Sequence, residues 1–188
     1  MNNANHRVFF AIDLEPSIKT QLLTYQENFN ELDAQPIDAA NLHITLSFLG
    51  ELTERKIETI LDGLSPIEQN PFELAIKDPI YLSGAKILAL EVEDKSKQLL
   101  KLKESIESNL RSITHFNIEK RPYLPHVSLF RKVEQFPDLI LPIEQSISVN
   151  SFCLMASIAT KNSVRYEIIE QWWISPEMSV KEQLIGKN

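Results

Sequence analysis

Two tetrapeptides with the same grammar constrain this chain most: His43-Ile44-Thr45-Leu46 and His126-Val127-Ser128-Leu129. Each reads histidine, apolar, hydroxyl, apolar, and they stand in opposite halves of the chain. The first lies in Leu42 to Leu49, which alternates with period two. Leu42, Ile44, Leu46 and Phe48 point one way, and His43, Thr45 and Ser47 the other. Gly50 is expected to end that strand. The second opens the short strand His126 to Arg131. On a strand, a histidine and a hydroxyl two residues later stand side by side on one face, while the apolar partners anchor the other face in a core. Two such strands suggest a duplicated half-site meeting at a central cleft. Strict alternation puts Arg131 on the face opposite His126 and Ser128.

The remaining segments supply strands and helices in turn. Arg7 to Leu14 reads as a strand. Pro16 suits the first position of a helix whose Ile18, Leu22, Tyr25, Phe29 and Leu32 share one face. Thr53 is the expected N-cap of a short helix with Ile57, Ile60, Leu61 and Leu64 inward. Phe72 to Ile76 and Lys86 to Val92 read as strands. Asp94 caps a helix that buries Leu99, Leu102, Ile106 and Leu110. Ile147 to Ala159 and Val164 to Ile174 read as two long strands joined by a turn at 161–163. This order predicts an α+β fold with largely antiparallel pairing. No Gly/Ser linker divides the chain, so residues 1–188 are expected to form one domain, with a core over 7–174 and a tail over 175–188.

Composition narrows the function. The net charge is −7. A protein that grips many phosphates of a long nucleic acid is usually basic, so any RNA partner here is met at an end or as a small piece. Lys120, Arg121, Arg131 and Lys132 bracket the second motif and offer a local basic patch. The single cysteine, Cys153, lies in an apolar run and reads as a buried small hydrophobe. The apolar stretch Val8 to Ile12 stops at Asp13, too short for an export signal or a membrane span. A cytoplasmic monomer without membrane contact is expected.

The twin motifs point to phosphoester chemistry. Opening a cyclic phosphate needs a base to activate water and an acid to protonate the departing ribose oxygen. Two histidines supply both near neutral pH. Their ordinary values near 6.5 predict a bell-shaped pH profile. The phosphoryl oxygens gain charge and need fixed donors, which Thr45 and Ser128 can provide. No Asp/Glu cluster suited to Mg²⁺ accompanies the motifs, and the four glycines form no phosphate-cradling loop. Zinc is the rival ligand for histidines, but Cys153, His6 and His115 show no ligand spacing. No metal and no cofactor are expected, and His6 and His115 read as surface residues. Among the aromatics, Phe9, Phe48, Tyr123 and Phe130 are candidates to stack on a base, against the plainer reading that they are core. One of Trp172 and Trp173 is expected to be buried.

Asn41 to Gly50 (NLHITLSFLG), Pro125 to Arg131 (PHVSLFR), Arg7 to Ala11 (RVFFA) and Tyr166 to Ile174 (YEIIEQWWI) together resemble the 2H phosphoesterase superfamily, and within it the RNA 2′,3′-cyclic phosphodiesterases, also called 2′-5′ RNA ligases. The resemblance spans about Arg7 to Ile174. It implies a bilobal, pseudo-two-fold fold: two antiparallel sheets flanked by helices, facing each other across a central cleft. It implies His43 as proton donor to the leaving 3′ oxygen, His126 as the base that activates water, and a 2′-phosphate product. It implies that Thr45 and Ser128 bind the phosphate and that Arg131 faces it. The expected partners are RNA with a 2′,3′-cyclic phosphate end or small cyclic nucleotides. The chain departs from the family in having Pro36-Ile37-Asp38 where a Trp-Val pair is usual, and Ser128 where threonine is commoner. Serine keeps the hydroxyl without threonine's stiff χ1. Two other functions use the same scaffold: 2′-5′ ligation of RNA halves by the reverse reaction, and nucleotide binding without turnover.

Overall fold

The computed structural model describes residues 5–113, 122–137, 141–160, 164–174 and 176. The expected turn at 161–163, His115, Lys120, Arg121 and most of the 175–188 tail lie outside them. Strand β1 (Asn5–Asp13) leads to helix α1 (Pro16–Gln26), with Pro16 at its start and Ile18, Leu22 and Tyr25 buried as the spacing requires. Phe29 is buried in the 3₁₀ turn that follows, and Leu32 packs against the core. A two-residue strand, β2 (Gln35–Pro36), precedes β3 (His43–Thr53) and α2 (Glu54–Gly63). Strands β4 (Phe72–Leu82) and β5 (Ile87–Glu93) lead into α3 (Gln98–Ile113). The Asp94 carboxylate accepts from the amides of Gln98 at 3.1 Å and Leu99 at 2.8 Å, satisfying donors the first turn leaves open. Strands β6 (His126–Arg131), β7 (Gln145–Val149), β8 (Ser151–Ala159) and β9 (Val164–Trp173) complete the chain.

The strands form one antiparallel sheet in the order β7-β4-β5-β6-β3-β1-β8-β9, with β2 beside β6. The two expected sheets are present as halves of this one. Strands β3 and β6 pair only at Ile44 opposite Val127. In that order three further strands lie outside each member of the pair, so the sheet is bilobal with its narrowest join between the two histidine strands. Ile44 and Val127 each follow a motif histidine, and both are fully buried. Each contributes about 1.5–3 kcal/mol by leaving water. The local pseudo-two-fold axis therefore runs between these two side chains.

Three sequence expectations need correction. Ile147 to Ala159 is not one strand: β7 and β8 are separated by Asn150, and they join opposite ends of the strand order. A one-residue link between those ends obliges the sheet to curl. Gly50 does not end β3, which runs on to Thr53. Its φ of +76° is a left-handed conformation that glycine takes without a Cβ clash, and it follows a register shift that bends the strand instead. Finally, Phe48 is 39% exposed and Ser47 is buried, the reverse of strict alternation. Trp172 stacks on Phe152 while Trp173 is exposed. Cys153 is buried, and burial pushes its thiol up to about 12. His6 is half-buried, 3.9 Å from Glu54. No described helix is long and apolar enough to cross a membrane.

Candidate active site

Matching bulges aim the two motifs. In β3, Thr45 pairs with Ala11 and Ser47 with Phe10, leaving Leu46 as the extra residue. Cross-strand partners share a face. The bulge therefore turns Ser47 toward the core beside Phe10, and Phe48 onto the face that carries His43 and Thr45, where it pairs with Phe9. In β6, Ser128 pairs with Ala89 and Phe130 with Leu88, leaving Leu129 as the extra residue. Phe130 turns to the core, and Arg131 joins His126 and Ser128 on the cleft face. Alternation alone sends Arg131 the other way; the bulge is the physical reason it does not go. One step to either side of the Ile44–Val127 pair, the same register sets His43 beside Ser128 and Thr45 beside His126. All four side chains line one cavity with Arg131.

Buried polar groups hold both bulges. The Leu129 carbonyl accepts from the Ile37 amide at 2.7 Å and from Gln26 Nε2 at 2.8 Å. Gln26 is buried at the end of α1. The Tyr123 hydroxyl donates to the Thr45 carbonyl at 3.0 Å, and Ser47 Oγ donates to Glu107 at 3.1 Å. Lys103 pairs with that buried carboxylate at 2.5 Å. A bulge frees ladder groups, and buried free groups are costly, so these partners are part of the aiming device.

The histidines are oriented alike. His43 Nδ1 lies 2.7 Å from the Asn41 carbonyl, and His126 Nδ1 lies 2.8 Å from the Leu124 carbonyl. A carbonyl only accepts, so each Nδ1 carries the hydrogen, and each neutral ring keeps its lone pair on Nε2. His43 Nε2 meets Thr45 Oγ1 at 3.0 Å. That hydroxyl donates to the neutral ring and accepts from the protonated one. Burial pushes the His43 imidazole down to about 4, the Asn41 carbonyl opposes this, and the charges of His126 and Arg131 add to the depression. The expected value near 6.5 therefore does not hold for His43.

Tyr166 and Asn41 join the half-sites. Arg131 Nη2 donates to the Tyr166 hydroxyl at 2.5 Å. The Tyr166 ring stands edge-on to His43, with centroids 5.1 Å apart at 89°. Asn41 clamps its backbone: the Tyr166 amide donates to Oδ1 at 2.8 Å, and Nδ2 donates to the Val164 carbonyl at 2.6 Å. Sequence reasoning passed over Gln26, Asn41, Glu107 and Tyr166 as site residues. For Gln26 and Glu107 a signal existed, a polar residue on the apolar face of a helix. Tyr166 meets Arg131 only through the fold.

The cavity holds about 460 Å³ and draws its walls from both halves of the sheet. That suits a mononucleotide-sized ligand. Among the described residues, no group of three or more His, Cys, Asp or Glu side chains is arranged to hold a metal ion. Lys132 is exposed at the end of β6, and the other half of the expected basic bracket lies outside the described residues.

Residues 12–78 match the family model described as LigT like Phosphoesterase. An RNA 2′,3′-cyclic phosphodiesterase of Escherichia coli (strain K12) is 29% identical over 168 residues, covering 88% of this chain and 95% of that protein. One of Bacillus subtilis (strain 168) is 32% identical over 164 residues, covering 82% of this chain and 84% of the relative. The crystal structure of E. coli LigT complexed with 3′-AMP superposes with a TM-score of 0.81 at 28% identity, covering 91% of this chain and 99% of that one.

Proposed function

This chain belongs to the LigT-like phosphoesterase family, and from that membership we propose that it hydrolyses 2′,3′-cyclic phosphates at RNA ends and leaves a 2′-phosphate. The observation that carries the reading is the pair of imidazoles at one cavity, each with Nδ1 spent on a backbone carbonyl and Nε2 left for chemistry. In this reaction His126 Nε2 takes a proton from water as the water oxygen attacks phosphorus. The bond from phosphorus to the 3′ oxygen breaks. Protonated His43 gives its Nε2 proton to that oxygen, and exchange with solvent resets both rings. Thr45, Ser128 and the Arg131 guanidinium meet the charge that gathers on the phosphoryl oxygens. A non-catalytic binder has no use for such a matched pair. Ligation runs the same steps backward and is disfavoured by bulk water.

The test is product analysis of a cyclic-ended oligonucleotide in excess EDTA, with ³¹P NMR separating 2′- from 3′-phosphate. Turnover to the 2′-phosphate is expected, since the donor set needs no metal. No turnover sinks the reading, and a 3′-phosphate sinks the assigned direction of opening.

Tyr166 is proposed as the group that aims Arg131. Tyr166→Phe removes the hydroxyl but keeps the ring against His43. A hydrogen bond to a charged group is worth about 1.5–3 kcal/mol, so KM is expected to rise about 10-fold or more with a smaller change in kcat. Initial rates across substrate concentration check this; an unchanged KM means Arg131 is aimed without the hydroxyl.

A further inference from the structure

We infer that Phe48 and Arg7 form a nucleobase platform at the first-lobe end of the cavity, so that the substrate lies with its base in the β3 half and its phosphate against Arg131. The inference rests on the phosphodiesterase reading and adds to it the orientation of the nucleotide. It comes from the place where the duplication breaks. The matching bulges make the fifth residue after each histidine equivalent: Phe48 after His43 and Arg131 after His126. Both turn onto the cleft face and line the cavity. Everything nearer the axis is duplicated in kind, a histidine and a hydroxyl from each half. At this position the lobes differ, an apolar ring in one and a cation in the other, with Arg7 beside the first and the Tyr166 ring beside the second. A pseudo-symmetric pocket with those two ends holds an asymmetric ligand in one direction, with its charged group toward the guanidinium and its flat apolar group toward the ring.

The surroundings of Phe48 fit a base. Phe9, Tyr123 and Phe130 drop out of the candidate set: Phe9 and Phe130 are buried at 2% and 5% exposure, and the Tyr123 ring already faces Lys103 Nζ at 5.4 Å. Phe48 keeps 39% of its surface open although it sits in a cavity wall. An apolar ring so placed costs free energy in water unless a ligand covers it. The Arg7 guanidinium lies 5.9 Å from its ring centre, a planar cation beside a planar ring. Base platforms combine these two groups, ring stacking with a cation–π contribution, and they tolerate any base because every base has a π-face. The ring is also within reach of the chemistry. Phe9 bridges it to His43, with centroids 5.5 Å from Phe48 and 5.0 Å from His43. One nucleotide can therefore touch the platform while its cyclic phosphate meets the imidazoles.

The test compares two cyclic phosphates, a nucleoside 2′,3′-cyclic phosphate and the baseless glycerol 1,2-cyclic phosphate. Stacking is worth about 1–3 kcal/mol per base on alanine substitution, so the wild-type protein should favour the nucleoside by roughly 5- to 150-fold in kcat/KM. In Phe48→Ala that ratio should collapse toward unity, and in Phe48→Tyr it should persist. Equal turnover of both substrates by the wild-type protein overturns the platform while leaving the phosphodiesterase reading intact. A Phe48→Ala variant that loses activity on both substrates with the ratio unchanged overturns it too, because Phe48 then acts only on the fold. Turnover of neither substrate by the wild-type protein overturns the reading on which the platform rests.

Discussion

Replacing His126 by alanine should lower kcat on a 2′,3′-cyclic phosphate by about 10²- to 10⁴-fold, the contribution of one positioned general acid or base. His43→Ala should fall in the same range, and the double variant should lose less than the product of the two, because the pair acts as a unit. Neither change should disturb the fold greatly. Both side chains are only partly buried at the cavity wall, and the apolar anchors Ile44 and Val127 remain. The measurement is single-turnover kinetics beside thermal melts of each variant. A folded variant that turns over near the wild-type rate removes that histidine from the reaction.

The second large effect is a change in the proton affinity of His43 when a phosphate enters. Its imidazole is held down to about 4, chiefly by burial and further by the charges of His126 and Arg131. A donor must carry a proton at the working pH. A phosphate anion between these groups adds a favourable charge beside His43 and offsets the Arg131 cation. Binding of a nucleoside 2′-phosphate is therefore expected to raise His43 from about 4 to near neutrality, roughly a thousandfold in proton affinity. Histidine ¹⁵N chemical shifts, titrated with and without the nucleotide, read this directly. If His43 stays neutral down to pH 5 with the nucleotide bound, it cannot be the donor, and the two roles exchange.

The same depression makes the protein acid-sensitive. The unfolded chain takes up the His43 proton near its ordinary value, while the folded chain resists until about 4. Stability is therefore lost as pH falls through the window between those values. The loss is on the order of 3 kcal/mol once both states are protonated. His43→Asn should flatten this slope, and saturating phosphate should restore stability inside the window.

Much of the fold was legible because local rules and tertiary structure agreed. Pro16, Asp94 and the apolar faces of α1 and α3 follow from propensity, capping and periodicity, which depend on neighbours along the chain. The failures have one cause. Leu46, Leu49 and Leu129 sit at register shifts, and a bulge is defined by the strand opposite, which periodicity cannot see. Hence Phe48 and Ser47 exchanged faces, and Arg131 reached a cleft that alternation had denied it. The break at Asn150 was hidden for a similar reason. Val149 and Phe152 are both good strand residues, and only their different partners separate β7 from β8.

By itself the sequence determined the α+β class and the two histidine strands. It also determined that the motif histidines and hydroxyls share a face, because period-two patterning places side chains on a face before any partner is chosen. Only tertiary structure decided how far each face extends. It set the bulges that brought Phe48 and Arg131 to the cavity, the Tyr166 contact between lobes, and the burial that lowers the proton affinity of His43. Each of these depends on groups distant in sequence or on the exclusion of water, and neither exists until the chain has closed around the cleft.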